Sequence, residues 1–405
     1  MINIAVGQSG GPTTVINASL YGVIREAFEH ADTIDKVYGM INGIEGFIDG
    51  KVMDVRQDMT EEDIELLKNT PASYLGSCRY KLPESMEDAV YKLIFKKFEE
   101  LNIGYFIYIG GNDSMDTVAK LSRYAKRTNS QVKIIGVPKT IDNDLTCTDH
   151  SPGYGSAAKY VAITVRDIVM DANVYDTHSV TIVELMGRHA GWITAASALA
   201  RKFEGDNPVL IYLPEVPFNV NNFVERVKLE LEKVNNVIVC VSEGIKDDKG
   251  TFICEYASEA GVDNFGHKML TGCGKYLENV IKKELGVKVR SVELNVNQRC
   301  KAALASLTDI EEAIMAGRYG VKLGLAGETG KMVAFVRKDG EVYELSYEPV
   351  ECDKVCNQEK VVPREWISED GTDINKAFLD YVTPLIQGEA NTPMENGLPK
   401  YCYRK

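Results

Sequence analysis

Short runs of apolar, mostly β-branched residues recur along this chain and alternate with stretches of helical periodicity. The clearest runs are INIAV (2–6), YFIYI (105–109), VKIIGV (132–137), VTIVEL (180–185), PVLIYL (208–213) and NVIVCVSE (236–243). Between the first two runs, residues 14–28 place Val15, Leu20 and Val23 on one broad apolar face. Such alternation is typical of βαβ units, in which helices cover parallel sheets. The pattern therefore predicts an α/β fold.

The spacing of the runs also predicts how the chain divides. Residues 1–150 and residues 151–297 each supply enough strands for one α/β domain. Farther along, the patterns predict a helix over 268–284, a strand over 287–295, a helix near 302–317 and a hairpin over 331–346. We expect part of 298–350 to join the first domain, and the proline-containing residues 350–405 to form a less regular C-terminal extension.

Composition argues against several classes of partner. Lysine and arginine number 46 against 59 aspartates and glutamates, for a net charge of −13, whereas nucleic acid requires a basic surface. No apolar run approaches the ~20 residues that span a bilayer, and the N-terminus lacks the basic segment of a secretory signal. We therefore expect a cytoplasmic protein that binds neither nucleic acid nor membranes. The nine cysteines contain no CxxC pair, which favours reduced thiols.

Loops with unusual composition follow three of the predicted strands. The first loop contains Gly10 and Gly11 after 2–6, the second is GGNDS (110–114), and the third is PKTIDND (138–144). Ligands of open α/β sheets bind at the carboxyl ends of strands, and glycines there let backbone N–H groups approach a phosphate. Glycine turns also occur for steric reasons alone, so the first loop by itself is a weak signal.

The third loop places Asp142 and Asp144 two residues apart, close to Lys139. An ordinary turn rich in aspartate and asparagine would explain these residues. At the end of a strongly apolar strand, the same carboxylates could instead hold Mg²⁺ and act as a base on a hydroxyl group. The residues alone leave both interpretations open.

Taken in order, the motifs resemble those of the phosphofructokinase family. The matching segments are SGGPT (9–13), LGSCR (75–79), GGNDS, PKTIDND, MGRHAG (186–191), SEG (242–244) and NQR (297–299). The pattern GGxxS alone is not specific to this family, whereas PKTIDND followed by MGR is specific to it. The resemblance covers most of the chain and implies two Rossmann-like three-layer α/β domains with the active site in the cleft between them. Residues 1–150 would form the phosphoryl-donor side and residues 151–297 the sugar-phosphate side.

The resemblance implies phosphoryl transfer to the 1-hydroxyl group of fructose 6-phosphate. Asp142 resembles the general base that accepts the hydroxyl proton, and Asp144 resembles the carboxylate that supports it and the metal. In-line transfer also needs positive charge over the transferred group. The implied catalytic residues are Asp142, Lys139, Asp144 and Arg188. The implied donor-binding residues are Gly10, Gly11, Arg79, Asp113 and Lys139.

The same resemblance implies a sugar-phosphate site. Its residues are Thr140, Asp142, Met186, Gly187, Arg188, Glu243, Arg290 and Arg299. Glu243 resembles the carboxylate that holds the sugar hydroxyl groups. Arg290 and Arg299 resemble the pair that binds the 6-phosphate, for which the planar guanidinium is well shaped.

Two positions depart from the pattern of the ATP-using members. Asn112 stands where those members carry a metal-binding aspartate, so the expected Mg²⁺ is assigned to Asn112 or Asp113. Ser179 stands where short bacterial members have an arginine that reaches the sugar phosphate of a neighbouring subunit, so that contact would be built differently here. We expect a homodimer or a homotetramer.

The choice of donor depends on Asp113 and Lys139, both of which are typically glycine in ATP-using members. An aspartate would repel the α-phosphate of a nucleotide, whereas a lysine would add charge next to a compact inorganic donor. Pyrophosphate-using members resemble this chain at both positions, so the resemblance implies reversible, Mg²⁺-dependent transfer from pyrophosphate. The alternatives are an ATP-dependent enzyme and a non-catalytic sugar-phosphate-binding homologue. The presence of Asp142 and Asp144 weighs against the second alternative.

Overall fold

A computed structural model describes residues 1–257, 272–340 and 342–404. The strands are β1 (Ile2–Gln8), β2 (Ile34–Met40), β3 (Val52–Asp54), β4 (Ile103–Gly110), β5 (Lys133–Pro138), β6 (Ser179–Leu185), β7 (Leu210–Tyr212), β8 (Asn236–Ser242), β9 (Lys288–Glu293), β10 (Lys331–Arg337), β11 (Leu345–Glu351), β12 (Met394–Glu395) and β13 (Leu398–Pro399). The helices are α1 (Ile16–Glu29), α2 (Gly43–Ile48), α3 (Val55–Asp58), α4 (Glu61–Leu66), α5 (Ala89–Glu100), α6 (Asn112–Thr128), α7 (Tyr154–Ala172), α8 (Trp192–Ala195), α9 (Val220–Leu231), α10 (Cys273–Leu285), α11 (Leu307–Leu325) and α12 (Lys376–Val382).

The first sheet has seven strands in the order β11-β10-β5-β4-β1-β2-β3. Strands β1, β2, β4, β5 and β10 run parallel to one another, whereas the edge strands β3 and β11 pair antiparallel with β2 and β10. Helices α1 and α11 contribute to the core on one face, and α2, α5 and α6 contribute to the core on the other. Burial on both faces explains why the central strands are continuous apolar runs. The strands predicted at 2–6, 105–109 and 132–137 and the hairpin near 331–346 are confirmed.

The second sheet contains four parallel strands in the order β7-β8-β6-β9. Helices α7, α8 and α12 pack on one face, and α9 and α10 pack on the other. The helix predicted over 268–284 begins at Cys273 in the described part of the chain, and residues 268–271 lie outside it. The predicted pair of three-layer α/β units is confirmed.

The parallel register brings the loops of each sheet to one edge. Gln8 of β1 lies beside Ile109 of β4, and Gly110 lies beside Pro138 of β5. In the second sheet, Leu185 lies beside Ser242. The segments that follow these strands therefore leave their sheets side by side, which is where ligands of α/β sheets bind.

After β11, the chain leaves the first sheet and packs across both units. Cys352 and Cys356 join the core beneath α6, whereas Phe378 and Val382 of α12 join the core of the second unit. The extension is irregular apart from α12, a short hairpin and single turns of 3-10 helix. In the described ranges, we find no helix with the length and apolar character needed to cross a membrane.

Candidate active site

The loops after β1, β4 and β5 converge on one cavity. It has a volume of about 210 Å³. Its lining residues are Ser9, Gly10, Gly11, Cys78, Arg79, Tyr80, Lys81, Gly111, Asn112, Asp113, Ser114, Lys139, Thr140, Asp142 and Asp144. The structure thus brings together all the residues that the sequence assigned to the donor, to the base and to the metal. Tyr80 and Lys81 also line the cavity but were not predicted, although they directly follow Arg79, which was predicted.

Two cations approach the glycine loop that follows β1. Gly10 has a φ of +77°, a value at which glycine avoids the strain that a side chain would bring. Lys139 donates a hydrogen bond from Nζ to the carbonyl oxygen of Gly11 at 2.5 Å. A Cβ atom added to Gly11 would lie 3.2 Å from a guanidinium nitrogen of Arg299. The loop therefore combines close backbone approach with positive charge, which suits an anionic ligand.

Lys139 is buried, with 2% of its surface exposed. Burial lowers the pKa of its ammonium group to about 8, although the carboxylates of Asp142 and Asp144 favour the charged form. Arg299 and Arg79 also disfavour that charge. The positive charge of Lys139 thus lies near those of Arg79 and Arg299, and a bound anion would stabilise it.

Asp142 and Asp144 line the cavity from the third loop, and each is half-buried. The hydroxyl oxygen of Thr140 accepts a hydrogen bond from the backbone N–H of Asp142 at 3.1 Å, which fixes the turn. Burial raises the pKa of Asp142, and the charges of Lys139 and Arg299 oppose this shift. Burial and the neighbouring Asp142 raise the pKa of Asp144 to about 7. Two close carboxyl groups in this environment can hold and release a proton near neutral pH.

The loops after β6 and β8 form a second group of contacts. Gly187 has a φ of +136°, and a Cβ atom there would lie 2.6 Å from the carbonyl oxygen of Ala190. Its N–H donates to the carboxylate of Glu243 at 3.3 Å, and its carbonyl oxygen accepts from Ser242 at 2.5 Å. Burial raises the pKa of Glu243 to about 7, and Asp142 adds to the shift. Glu243 therefore lies close enough for its charge to interact with that of Asp142, which lines the first cavity.

Met186 and Arg299 are joined by a short segment after β9. The backbone N–H of Met186 donates to the side-chain oxygen of Gln298 at 3.1 Å, and Gln298 belongs to a 3-10 turn that ends at Arg299. The turn thus places Arg299 next to Gly11 while it anchors the loop after β6. Arg188, from that same loop, acts electrostatically on both Asp142 and Glu243.

Arg290 lies away from this group within the chain. It is exposed on β9 and forms an ion pair with Asp171 at 3.6 Å. In the register of the second sheet it lies beside Thr181, four residues before Leu185. At about 3.3 Å per residue, this puts Arg290 roughly 13 Å from the edge where the loops gather. The structure therefore separates the two arginines that the sequence paired.

Asn112 and Asp113 differ in their surroundings at the start of α6. Both polar atoms of the Asn112 side chain form hydrogen bonds with the backbone of residues 357 and 358. Asp113 is exposed and forms an ion pair with Lys81 at 3.1 Å. Neither contact was predicted from the sequence, because the partners of Asn112 are backbone groups far along the chain and Lys81 belongs to a different loop from Asp113.

Comparisons with known proteins identify similar sequences and structures. A family model described as Phosphofructokinase matches residues 3–323. The chain is 42% identical to a pyrophosphate–fructose 6-phosphate 1-phosphotransferase of Halomonas elongata, across 98% of this chain and 95% of the relative. It is 39% identical to a protein of the same name from Methylococcus capsulatus, with the same coverage. The crystal structure of a pyrophosphate-dependent phosphofructokinase from Marinobacter aquaeolei superposes with a TM-score of 0.90 at 37% identity, over 100% of this chain and 96% of that one.

Proposed function

The chain belongs to the phosphofructokinase family, and we propose that it reversibly transfers a phosphoryl group between pyrophosphate and the 1-hydroxyl group of fructose 6-phosphate. The forward product is fructose 1,6-bisphosphate, and the reaction is a step of glycolysis. The observation that carries this proposal is the small cavity that holds Lys139, Asp113 and Asp142 together. The near full-length relatives named for this activity support it.

The cavity favours a compact donor. Its volume of about 210 Å³ lies below the roughly 300–1,000 Å³ of pockets that accept drug-sized ligands. Asp113 lies in its wall with its carboxylate exposed, where it would repel a third phosphate. Lys139, Arg79 and the N–H groups near Gly10 and Gly11 would bind the two phosphates of pyrophosphate.

Asp142 is positioned to act as the general base. Its raised pKa reflects a buried environment in which a carboxylate is a stronger proton acceptor than in water. As the sugar hydroxyl attacks, its proton would pass to the Asp142 carboxylate. Lys139 and Arg188 would stabilise the charge on the transferred phosphoryl group, because preorganised cations act strongly in a water-excluded site.

The sugar phosphate would bind across the cleft, against the second unit. Glu243 would accept hydrogen bonds from sugar hydroxyl groups, while Met186 and Gly187 pack against the ring. Thr140 and Arg188 complete this wall. Arg299, next to Gly11, would bind the 6-phosphate through its guanidinium group.

The donor set fits Mg²⁺. Asp113, Asp142 and Asp144 are carboxylates that line one cavity, and Asn112 lies beside them. Mg²⁺ usually takes one or two carboxylates together with water and substrate phosphates. When bound, the ion would neutralise charge on the donor phosphates.

We further propose a cytoplasmic homodimer or homotetramer. The position of Arg290 supports an assembly, because this residue could contact a 6-phosphate only in the site of a second copy. Analytical ultracentrifugation of the purified protein, with and without fructose 6-phosphate, tests the assembly.

A coupled assay that measures fructose 1,6-bisphosphate with pyrophosphate or ATP as donor tests the function. We expect turnover with pyrophosphate and little with ATP. A preference for ATP would support the ATP-dependent alternative. Inactivity with both donors, together with tight binding of fructose 6-phosphate, would support a non-catalytic homologue.

A further inference from the structure

Asn112 is held by a segment that lies far from it in sequence. Its Nδ2 donates to the carbonyl oxygen of Gln358 at 2.5 Å, and its Oδ1 accepts from the backbone N–H of Asn357 at 2.6 Å. An amide carries both a donor and an acceptor, so it can satisfy one N–H and one carbonyl of the same backbone segment. An aspartate at this position would lose the donor and place negative charge against the Gln358 carbonyl.

The segment 357–362, which we term the strap, continues from Asn112 to the third loop (138–144), which carries Asp142 and Asp144. The backbone N–H of Lys360 donates to the carbonyl oxygen of Asp144 at 2.8 Å. The ammonium group of Lys360 donates to the carbonyl oxygens of Thr148 at 3.2 Å and Asp149 at 2.7 Å. The strap thus holds the backbone of the third loop at the residue whose carboxylate lines the cavity.

The far end of the strap is fixed to the second unit. The indole N–H of Trp192 donates to the carbonyl oxygen of Lys360 at 2.9 Å. The N–H of Val362 donates to a carboxylate oxygen of Glu215 at 2.9 Å, and the same oxygen accepts from the N–H of Gly191 at 2.8 Å. Gly191 belongs to the segment that follows β6 and carries Met186 and Arg188. One short segment therefore connects loops from both sheets.

We propose that Asn112 is a positioning residue for phosphoryl transfer. Its hydrogen bonds hold the strap against the third loop and so fix the position of Asp144 relative to the second unit. This proposal rests on the proposed function, because it takes Asp144 to support the base and the metal. It assigns Asn112 a different role from that of metal ligand. The residue acts through backbone contacts, and the metal then falls to the aspartates.

The structure also supplies a matched control. Asn112 binds the backbone of residue 358, and the side chain of Gln358 is exposed. Gln358→Ala should therefore preserve the strap, whereas Asn112→Ala and Asn112→Asp should loosen it. Asn112→Asp separates the two roles, since a carboxylate would preserve or improve a metal ligand while removing the donor to the strap.

The experiment combines amide hydrogen exchange with kinetics on the full-length protein and these three variants. In Asn112→Ala, which loses both hydrogen bonds, we expect exchange of the amides in 357–362 to rise by about tenfold or more. In Asn112→Asp, the carboxylate still accepts from the N–H of Asn357 but no longer donates to the carbonyl oxygen of Gln358 and repels it, so we expect a smaller rise. With pyrophosphate as donor, kcat should fall by roughly tenfold to a hundredfold, and the KM for fructose 6-phosphate should stay within about twofold. Gln358→Ala should match the wild type in both measurements. Unchanged exchange in peptides of β8 would show that the variants are folded.

Two results would overturn the proposal. One is unchanged strap exchange in both Asn112 variants. The other is an apparent Mg²⁺ affinity that weakens in Asn112→Ala and is restored in Asn112→Asp together with kcat, which would make Asn112 a metal ligand. An inactive wild type would refute the proposed function instead, and the exchange measurement would still report whether Asn112 fastens the strap.

Discussion

The ammonium group of Lys139 donates a hydrogen bond to the carbonyl oxygen of Gly11 at 2.5 Å, although the two residues follow strands that are separated by β4. The bond joins the glycine loop that would bind the donor to the loop that carries Asp142. Because Lys139 is buried, its charge depends on this carbonyl, on nearby carboxylates and on any bound anion. Donor binding and the protonation state of Asp142, the proposed base, would therefore be linked through Lys139.

This link predicts a bell-shaped pH profile for kcat/KM. Asp144, with a pKa raised to about 7, and its partner Asp142 must lose protons, so activity should fall as pH drops below about 7. Lys139, with a pKa lowered to about 8, must keep its proton, so activity should fall again above about pH 8. Lys139→Arg should move the alkaline limb to higher pH, because a guanidinium stays protonated.

Lys360→Arg is the control, since burial also lowers the pKa of Lys360 to about 8 but this residue does not line the cavity. An alkaline limb that moves in Lys360→Arg and not in Lys139→Arg would contradict the assignment of this limb to Lys139.

Asp142→Ser should lower kcat by roughly 10²–10⁴-fold, which is the usual contribution of a positioned general base. Binding of fructose 6-phosphate should change little, because the serine leaves Thr140, Glu243 and Arg299 in place. Steady-state kinetics and isothermal titration with fructose 6-phosphate measure the two effects. Near-normal turnover would remove Asp142 from the base role.

Arg299→Ala should mainly raise the KM for fructose 6-phosphate, by about tenfold or more. The contact with the 6-phosphate is equally strong in the ground state and the transition state, so its loss weakens substrate binding and leaves kcat largely unchanged. Arg290→Ala is the companion variant. A rise in KM for this variant would indicate a contact supplied by a second copy, since Arg290 lies away from the site in its own chain. An unchanged KM in Arg299→Ala would mean that the 6-phosphate binds elsewhere.

Two substitutions should each shift donor preference from pyrophosphate toward ATP, one by raising ATP activity and the other by lowering pyrophosphate activity. Asp113→Gly should admit ATP detectably, because it removes the charge expected to repel a nucleotide. Lys139→Gly should lower pyrophosphate activity by roughly 10²–10³-fold, as expected for one preorganised group. The measurement is kcat/KM with each donor for the wild type, both single variants and the double variant.

The ion pair between Lys81 and Asp113 requires one further control, because Asp113→Gly also releases Lys81. Lys81→Met removes the ion pair and keeps the aspartate, so it should not admit ATP. A donor ratio unchanged by Asp113→Gly would show that this interpretation of the donor site is wrong.

The sequence was sufficient to predict the features that depend on local patterns. Central strands such as β4 and β8 are buried on both faces and read as continuous apolar runs. The convergence of Gly11, Asp113 and Asp142 followed from the rule that the carboxyl ends of parallel strands share an edge. Strand β2 was missed because its exposed and half-buried positions carry charges that hide the apolar pattern.

Two features of the site could not be predicted, because they depend on long-range geometry. The contacts of Asn112 are made to backbone groups 245 and 246 residues away, and backbone groups leave no side-chain pattern. The separation of Arg290 from Arg299 depends on the register of β9 against β6, which motif order does not contain.

The order of strands in the first sheet has a consequence for synthesis of the chain. Strand β10 covers the edge of β5, yet β5 ends at Pro138 and β10 begins at Lys331, after the whole second sheet has been translated. Until β10 emerges from the ribosome, β5 presents an unpaired parallel edge, a ready template for association with other chains. Nascent chains that stall before Lys331 should therefore be prone to aggregate and should depend on chaperones, whereas the released full-length chain covers this edge itself.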